Sequence, residues 1–207
     1  MTSTDVIWMR HGTCTDGRER PDAHARPGSP LHPDGLAQVT AAARSLVREG
    51  WRPALIITSP LPRAAASAAA VGLVADRTEI HQDDLLREWA APACVLGRGP
   101  SDYSPEYLAW RSTRLVNVDT ALPGGESLRS LRDRAVSASA RINSLAQQYG
   151  AVLVVSHQVL IGCVAAAGAG VHDVAEVFEH ARTFRLEPAG LWHPQSSQLR
   201  SPEERRP

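Results

Sequence analysis

The sequence predicts an α/β fold, a three-layer α/β/α sandwich built on a mainly parallel sheet. Three observations carry this. Short apolar runs at Asp5 to Arg10 (DVIWMR), Ala54 to Thr58 (ALIIT) and Ala151 to Ser156 (AVLVVS) have the continuous hydrophobicity of strands buried on both faces. Stretches with helical spacing of apolar residues separate them, and a strand–helix–strand order folds as right-handed crossovers that put helices on both faces of the sheet. The length, 207 residues, suits one domain, which buries about 70% of the surface of its unfolded chain.

Taken in order, the first strand ends in His11-Gly12 and runs into a polar stretch, Thr13 to Pro33, whose four Pro residues read as a long irregular loop. Asp34 to Gly50 carries apolar residues at Leu36, Val39, Ala43, Leu46 and Val47, which predicts a one-faced helix capped by Asp34 and stopped by Gly50. The second strand turns at Ser59-Pro60 into an Ala-rich helix from Leu61 to Ala75. Thr78 to His81 reads as an edge strand, Asp83 to Ser104 as irregular, and Pro105 to Leu115 as a helix. Pro123-Gly124-Gly125 breaks the chain before a long helix, Glu126 to Tyr149, and Gly150 ends it. His157 to Gly168 is a further helix after the last strand. Residues 1–194 are expected to form the single domain, and the polar, Pro-containing segment 195–207 a disordered tail.

Composition excludes several chemistries. The 22 basic residues balance 22 acidic ones, so no chain-wide basic surface points to nucleic acid or to anionic lipid. All of those basic residues are Arg, and without Lys the chain lacks the amine for Schiff-base chemistry, pyridoxal phosphate attachment, a Walker A loop or a kinase strand lysine. A phosphate would have to be held by Arg, His and backbone. Three cysteines, Cys14, Cys94 and Cys163, without a C-x-x-C pair or a secretory leader, predict a reduced cytoplasmic protein, and no apolar run is long enough to span a membrane. Oligomeric state has no signature, so monomer and homodimer both stand.

Ligands of open α/β sheets bind at the carboxyl ends of the strands. Those ends carry Arg10-His11-Gly12, then Ser59-Pro60-Leu61-Pro62-Arg63, then Ser156-His157-Gln158. Two Arg and two His thus converge on one edge. Guanidiniums fork onto phosphoryl oxygens and helix N-termini add N–H donors, so this edge is expected to bind an anion. A neutral imidazole there attacks phosphorus without first losing a proton, which makes His11 the candidate covalent centre.

Arg10-His11-Gly12 after a leading strand, Ser59 to Arg63 opening an Ala-rich helix, and Val155-Ser156-His157 after a late strand resemble the histidine phosphatase superfamily, the phosphoglycerate-mutase-like family, in its phosphatase branch. Pro30-Leu31 with Gly35 and Gln38 is similar to its P-L-x-x-x-G-x-x-Q segment, and Pro123 to Ser127 (PGGES) to a stretch of its phosphatases; together they span roughly residues 5 to 170. Chance supplies only about 0.06 copies of R-H-G at this composition, and the ordered strand-end context sharpens the match. The resemblance implies a small-molecule phosphate monoester as partner, no cofactor, no metal, and a two-step transfer. His11 takes the phosphoryl group, Arg10, Arg63 and His157 hold its equatorial oxygens with Gly12 beside them, and water hydrolyses the phosphohistidine, while Gln158, standing where the family has Gly, would narrow the pocket or add an amide contact to the substrate. Leu86-Arg87-Glu88 fits the family's L-x-E pattern, which makes Glu88 the general acid, with Asp83, Asp84 and Glu126 as competitors. A carboxyl facing a phosphate dianion favours its protonated, donating form.

The sequence also departs from the family pattern. Thr13 and Cys14 stand where the family has Glu or Gln and then Thr or Ser, Asp16-Gly17 replaces a frequent phosphate-contacting Asn, and Gln158 replaces a Gly. The mutase stretch E-R-H-Y-G is absent, which favours hydrolysis over mutase activity. Cys14 and Arg20 satisfy C-x5-R, the spacing of a thiolate phosphatase, though about 0.3 such matches arise by chance and Asp16 and Glu19 in the loop would repel phosphate. A phosphoester-binding protein without turnover is a third reading. The remaining histidines, His24, His32, His81, His172, His180 and His193, show no metal-ligand spacing and read as surface or core residues. Trp89, Tyr103, Tyr107 and Trp110 would favour a substrate with an apolar or ring-bearing group, Trp110 more as core. The region from Asp83 to Leu122 is expected to roof the site.

Overall fold

A computed structural model describes residues 5–194 and the backbone of Leu199 and Arg200. The three apolar runs form parallel strands: β1 (Asp5–Arg10), β2 (Leu55–Thr58) and β4 (Ala151–Ser156), joined at one edge by β3 (Ile80–Gln82). Two short antiparallel strands, β5 (Leu191–Trp192) and β6 (Leu199–Arg200), extend the opposite edge, giving the order β3-β2-β4-β1-β5-β6. Apart from Leu199 and Arg200, the segment expected to be a disordered tail lies outside the described residues; that pair is in the sheet.

Side chains alternate across each strand and so feed two cores. Ile7, Met9, Ile56, Leu153 and Val155 pack under α2 (Pro33–Arg48) and α3 (Pro62–Val74). Val6, Trp8, Leu55, Ile57, Val152 and Val154 pack under α5 (Leu128–Tyr149), α6 (Gln158–Gly168) and α7 (Val174–Thr183). The result is the α/β/α sandwich that the alternation of strands and helices predicts. Among the described residues no helix is long and apolar enough to cross a membrane.

Helix boundaries differ from the sequence reading where proline and serine decide them. Pro33 occupies the first turn of α2, so the cap moves back to His32, whose Nδ1 accepts from the Asp34 N–H at 3.1 Å, and Asp34 is inside the helix. The buried stripe of α2 is Gly35, Val39, Ala42, Ala43 and Leu46, while Leu36 is 48% exposed. Helix α5 starts after Ser127, whose hydroxyl accepts from Ser130 N at 3.2 Å, and ends at Gly150, which adopts φ 87°. The polar stretch after β1 is not wholly irregular, since Thr15–Glu19 forms a five-residue helix, α1, with no buried residue. Helix α4 (Pro105–Thr113) buries Tyr107 and Trp110, and 3₁₀ turns at Asp84–Leu86, Ala93–Val95 and Pro100–Asp102 order much of the region between β3 and α4.

The Pro30-to-Gln38 segment is the buttress of the β1 end. His32 N donates to Thr13 O at 2.9 Å, and Thr13 N donates to Gln38 Oε1 at 3.0 Å. This draws the Gly12 and Gly35 backbones together until a Cβ on Gly12 would lie 2.3 Å from Gly35 O, and one on Gly35 2.2 Å from Thr13 O. Neither position has room for a side chain. Gly35→Ala is therefore expected to lose about 1–3 kcal/mol of unfolding free energy in urea, while Gly28→Ala, where a Cβ meets nothing within 4 Å, serves as a near-neutral control. Equal stability of the two variants would show that the close approach is not tight.

Candidate active site

Parallel register brings the three strand ends level: Arg10 is opposite Ser156, and Thr58 opposite Val155. The chain leaves each strand still tied to its neighbour, His11 N donating to Ser156 O and Ser59 N to Val155 O, both at 3.0 Å. His11, Arg63 and His157 are thereby held at one edge, all buried.

The hydrogen bonds of His11 define its chemistry. Its Nδ1 is 2.6 Å from the Gly12 carbonyl, and its Nε2 is 3.2 Å from Nε of Arg63. A carbonyl only accepts and a guanidinium only donates, so Nδ1 carries the hydrogen and Nε2 the free lone pair. Burial, reinforced by the Arg63 and Arg10 charges, holds the imidazole well below its ordinary pKa, so it is neutral at pH 7. His157, wholly buried, sits edge-on at 4.9 Å between ring centroids, with Nε2 2.8 Å from Ser59 Oγ. Its pKa is lowered well below the ordinary value by burial and then by His11 and the two guanidiniums.

Arg10 and Arg63 are anchored by carbonyl oxygens. Arg10 Nη1 donates to Leu186 O at 2.8 Å, and Arg63 Nη1 to Arg26 O at 3.1 Å and Pro27 O at 3.2 Å. Among the described residues, the buried Arg10 Nε and His157 Nδ1 have no hydrogen-bond partner, which is costly and, for Arg10 on the cavity lining, suits an anionic occupant.

Glu88 is the foremost counter-charge of both guanidiniums. Its carboxylate accepts from Trp89 N at 2.9 Å and from Val159 N and Leu160 N, each at 3.2 Å, so it also caps the first turn of α6. The loop bearing it is held by Arg134, which donates to the carbonyls of Leu85, Arg87 and Glu88 and pairs with Glu126 at 2.6 Å. Glu126, expected to start a helix or compete as the acid, is instead the anchor of Arg134.

Arg10, His11, Arg63, Glu88 and Gln158 line a cavity of about 290 Å³. His157 is not on its wall but packs behind His11. Two expected substrate contacts are occupied within the protein. Gly12 donates its N–H to Ser67 Oγ at 3.2 Å and gives its carbonyl to His11. The Gln158 amide donates to Phe184 O and accepts from Leu186 N at 3.2 Å, so it fixes the segment whose Leu186 carbonyl anchors Arg10. The Cys14–Arg20 pair does not form a phosphate loop. Residues between them are helical, Arg18 N and Arg20 N donating to Cys14 O and Asp16 O, and the Arg20 guanidinium turns to Gly97 O at 3.1 Å.

The roof is made of two loops rather than of the Asp83 to Leu122 region alone. His24 and Leu96 form an isolated parallel bridge, with Gly97 N donating to His24 O at 2.7 Å. Sequence reasoning passed over His24 and Arg134. The first is one of several isolated histidines and the second one of several arginines along a polar helix face, and each acquires its place only through contact with a distant loop. Among the described residues no group of three His, Cys, Asp or Glu side chains is arranged to hold a metal ion.

The family model described as histidine phosphatase superfamily (branch 1) matches residues 6–189. Among solved structures, the chain is similar to a putative α-ribazole-5′-P phosphatase from Escherichia coli K-12, with a TM-score of 0.74 and 22% identity over 96% of this chain and 95% of that one. An α-ribazole phosphatase from Shigella flexneri gives 0.73 and 23% over 90% and 88%. A mycobacterial glucosyl-3-phosphoglycerate phosphatase gives 0.71 and 22% over 95% and 96%. At such identities the likeness is one of fold. No curated protein matches significantly by sequence.

The lowered histidines give the fold an acid limit. An unfolded histidine takes up a proton below about pH 6.5, whereas His11 and His157 refuse it while folded, so the unfolded state binds more protons and stability falls with falling pH. The unfolding free energy in urea is expected to fall between about pH 6.5 and about pH 5.5 by up to about 1.4 kcal/mol per pH unit for each histidine. His157→Gln should flatten that slope. An unchanged slope in this variant would mean that His157 titrates normally in the fold.

Proposed function

The chain belongs to branch 1 of the histidine phosphatase superfamily, and from that premise we propose that it is a phosphatase that hydrolyses a small-molecule phosphate monoester through a phosphohistidine on His11. The observation that carries the reading is the Nε2 lone pair of a neutral, buried imidazole between two guanidiniums at a cavity. The nucleophile is already deprotonated and its tautomer fixed.

In the first step Nε2 forms a bond to phosphorus while the bond to the ester oxygen breaks. Arg63, which holds Nε2 in the resting site, shifts its Nε–H to a phosphoryl oxygen, and Arg10 brings its unpartnered Nε–H to another. The leaving oxygen takes a proton from Glu88. A phosphate dianion takes over the charge that Glu88 supplies to the guanidiniums, which leaves the carboxyl to serve the leaving oxygen. In the second step water loses a proton to the Glu88 carboxylate and attacks phosphorus, the P–N bond breaks, and His11 is restored with release of inorganic phosphate. His157, edge-on to His11 and off the cavity wall, acts through the His11 ring rather than on the phosphoryl oxygens. The absence of an E-R-H-Y-G stretch favours release over return of the phosphoryl group. Neither step requires a metal, and three free thiols fit a reducing compartment such as the cytoplasm.

Hydrolysis of p-nitrophenyl phosphate in EDTA is expected to fall at least ~10³-fold in His11→Ala, and acid quenching of the wild type should trap a phosphoprotein that the variant lacks. Full activity in His11→Ala with loss in Cys14→Ser would transfer the chemistry to the thiol, and no activity in either protein despite phosphate binding would make the chain a binder. Gln158→Ala, which releases Leu186 and with it Arg10, should raise KM roughly 3- to 10-fold, as expected for about 1 kcal/mol of lost positioning. A kcat loss at constant KM would give the amide a different part.

A further inference from the structure

The cavity lining is of two chemical kinds. Arg10, His11, Arg63 and Glu88 make the charged part at the strand ends, its inner end, and Pro21, Ala23, Ala25, Trp89, Ala91 and Leu96 an apolar part, its outer wall. The one charged side chain on the lining besides Arg10, Arg63 and Glu88 is Arg87, and it is committed to Asp84 at 2.6 Å while half exposed. The nearby Arg26 guanidinium is likewise paired, with Asp16 at 3.2 Å. On the lining itself a second phosphate or a carboxylate of the substrate would meet apolar surface, since Arg87, the one further cation there, is paired with Asp84.

One residue breaks the apolar surface. The His24 ring stacks on Tyr103 at 6.1 Å and meets the edge of Trp89 at 5.8 Å, and its backbone is pinned to Gly97. Burial and the Arg114 and Arg111 charges lower its pKa, so the imidazole is neutral at neutral pH and offers one donor and one acceptor nitrogen. Trp89 is itself fixed, its Nε1 donating to Glu126 O at 2.9 Å and its ring stacked on Trp110. Trp89 and His24 are thus held by contacts within the protein, which lowers the ordering entropy that binding would cost.

We infer that the outer cavity is a leaving-group subsite for an uncharged, ring-bearing alcohol, and that His24 is its polar specificity contact. This rests on the phosphatase reading for the inner end alone. The cavity volume lies at the lower end of small-ligand pockets, enough for a phosphoryl group and a moiety of about ring size. Apolar and aromatic contact supplies affinity there, and the imidazole orients the ring substituent or ring heteroatom.

The test is calorimetric binding of three non-hydrolysable probes to the full chain: 1-naphthylmethylphosphonate, 3-phosphonopropionate and inorganic phosphate. The naphthyl probe is expected to bind at least ~10-fold tighter than the other two. His24→Ala should weaken it roughly 5- to 10-fold and leave inorganic phosphate unchanged, with partial recovery in His24→Gln, which keeps a donor and an acceptor. Equal or tighter binding of the carboxylate-bearing probe overturns the inference, as does a His24→Ala loss shared equally by all three. Ring preference without His11-dependent hydrolysis would sink the phosphatase reading and leave the subsite standing. His11-dependent hydrolysis without ring preference would do the reverse.

Discussion

Two guanidiniums removed from water at the end of a parallel sheet govern the rest of the site. A buried cation is costly unless its charge and its N–H groups are met, and the means by which Arg10 and Arg63 are met account for three loops. Leu186 O serves Arg10, Arg26 O and Pro27 O serve Arg63, and Glu88 supplies charge to both. Each of those loops has its own restraint, Gln158 for the segment after α7, Asp16, which accepts from Arg26 N at 2.7 Å, for the Arg26–Pro27 loop, and Arg134 with Glu126 for the Glu88 loop. Burial, reinforced by the same cations, keeps His11 and His157 neutral. Electrostatic tolerance of the arginines and readiness of the nucleophile are therefore one property.

The backbone has its own version of this economy. Gly12 must surrender its carbonyl to His11 Nδ1, and that fixes the peptide against Gly35 so closely that neither position accepts a Cβ. Gln38 then closes the gap by accepting from both Thr13 N and Thr13 Oγ1 at 3.0 Å. A segment legible in the sequence only as a family-like string thus has a mechanical meaning, because it holds the peptide whose carbonyl meets the His11 imidazole. Thr13, which departs from the family pattern, serves this buttress through its backbone and its hydroxyl alike.

What the sequence revealed and what it concealed follow from the range of the forces involved. Strands β1, β2 and β4 were legible since burial on both faces demands uninterrupted apolar residues, and the gathering of Arg10, His11, Arg63 and His157 at one place was legible since parallel strands must end on one edge. Strands β5 and β6, two residues each, are too short to display a period, and α1 buries nothing that could set one. Caps moved by one or two residues where Pro33 and Ser127 settled the matter locally. Gln158 and Gly12 were assigned to substrate because adjacency in sequence to His157 and His11 says nothing of where an amide or a peptide group points. Arg134 lies 46 residues from the Glu88 carbonyl it holds, and no local pattern records such a pair.

Glu88 joins these lines of argument. In the resting site its carboxylate does two structural tasks, terminating α6 through Val159 N and Leu160 N and neutralising Arg10 and Arg63. On the proposed reaction an arriving phosphate dianion takes over the second task, since it brings more charge to the same guanidiniums. On that reading the carboxylate is relieved of one structural task while the other, the cap on α6, still holds it at the cavity, and the Arg134–Glu126 pair holds the loop that carries it.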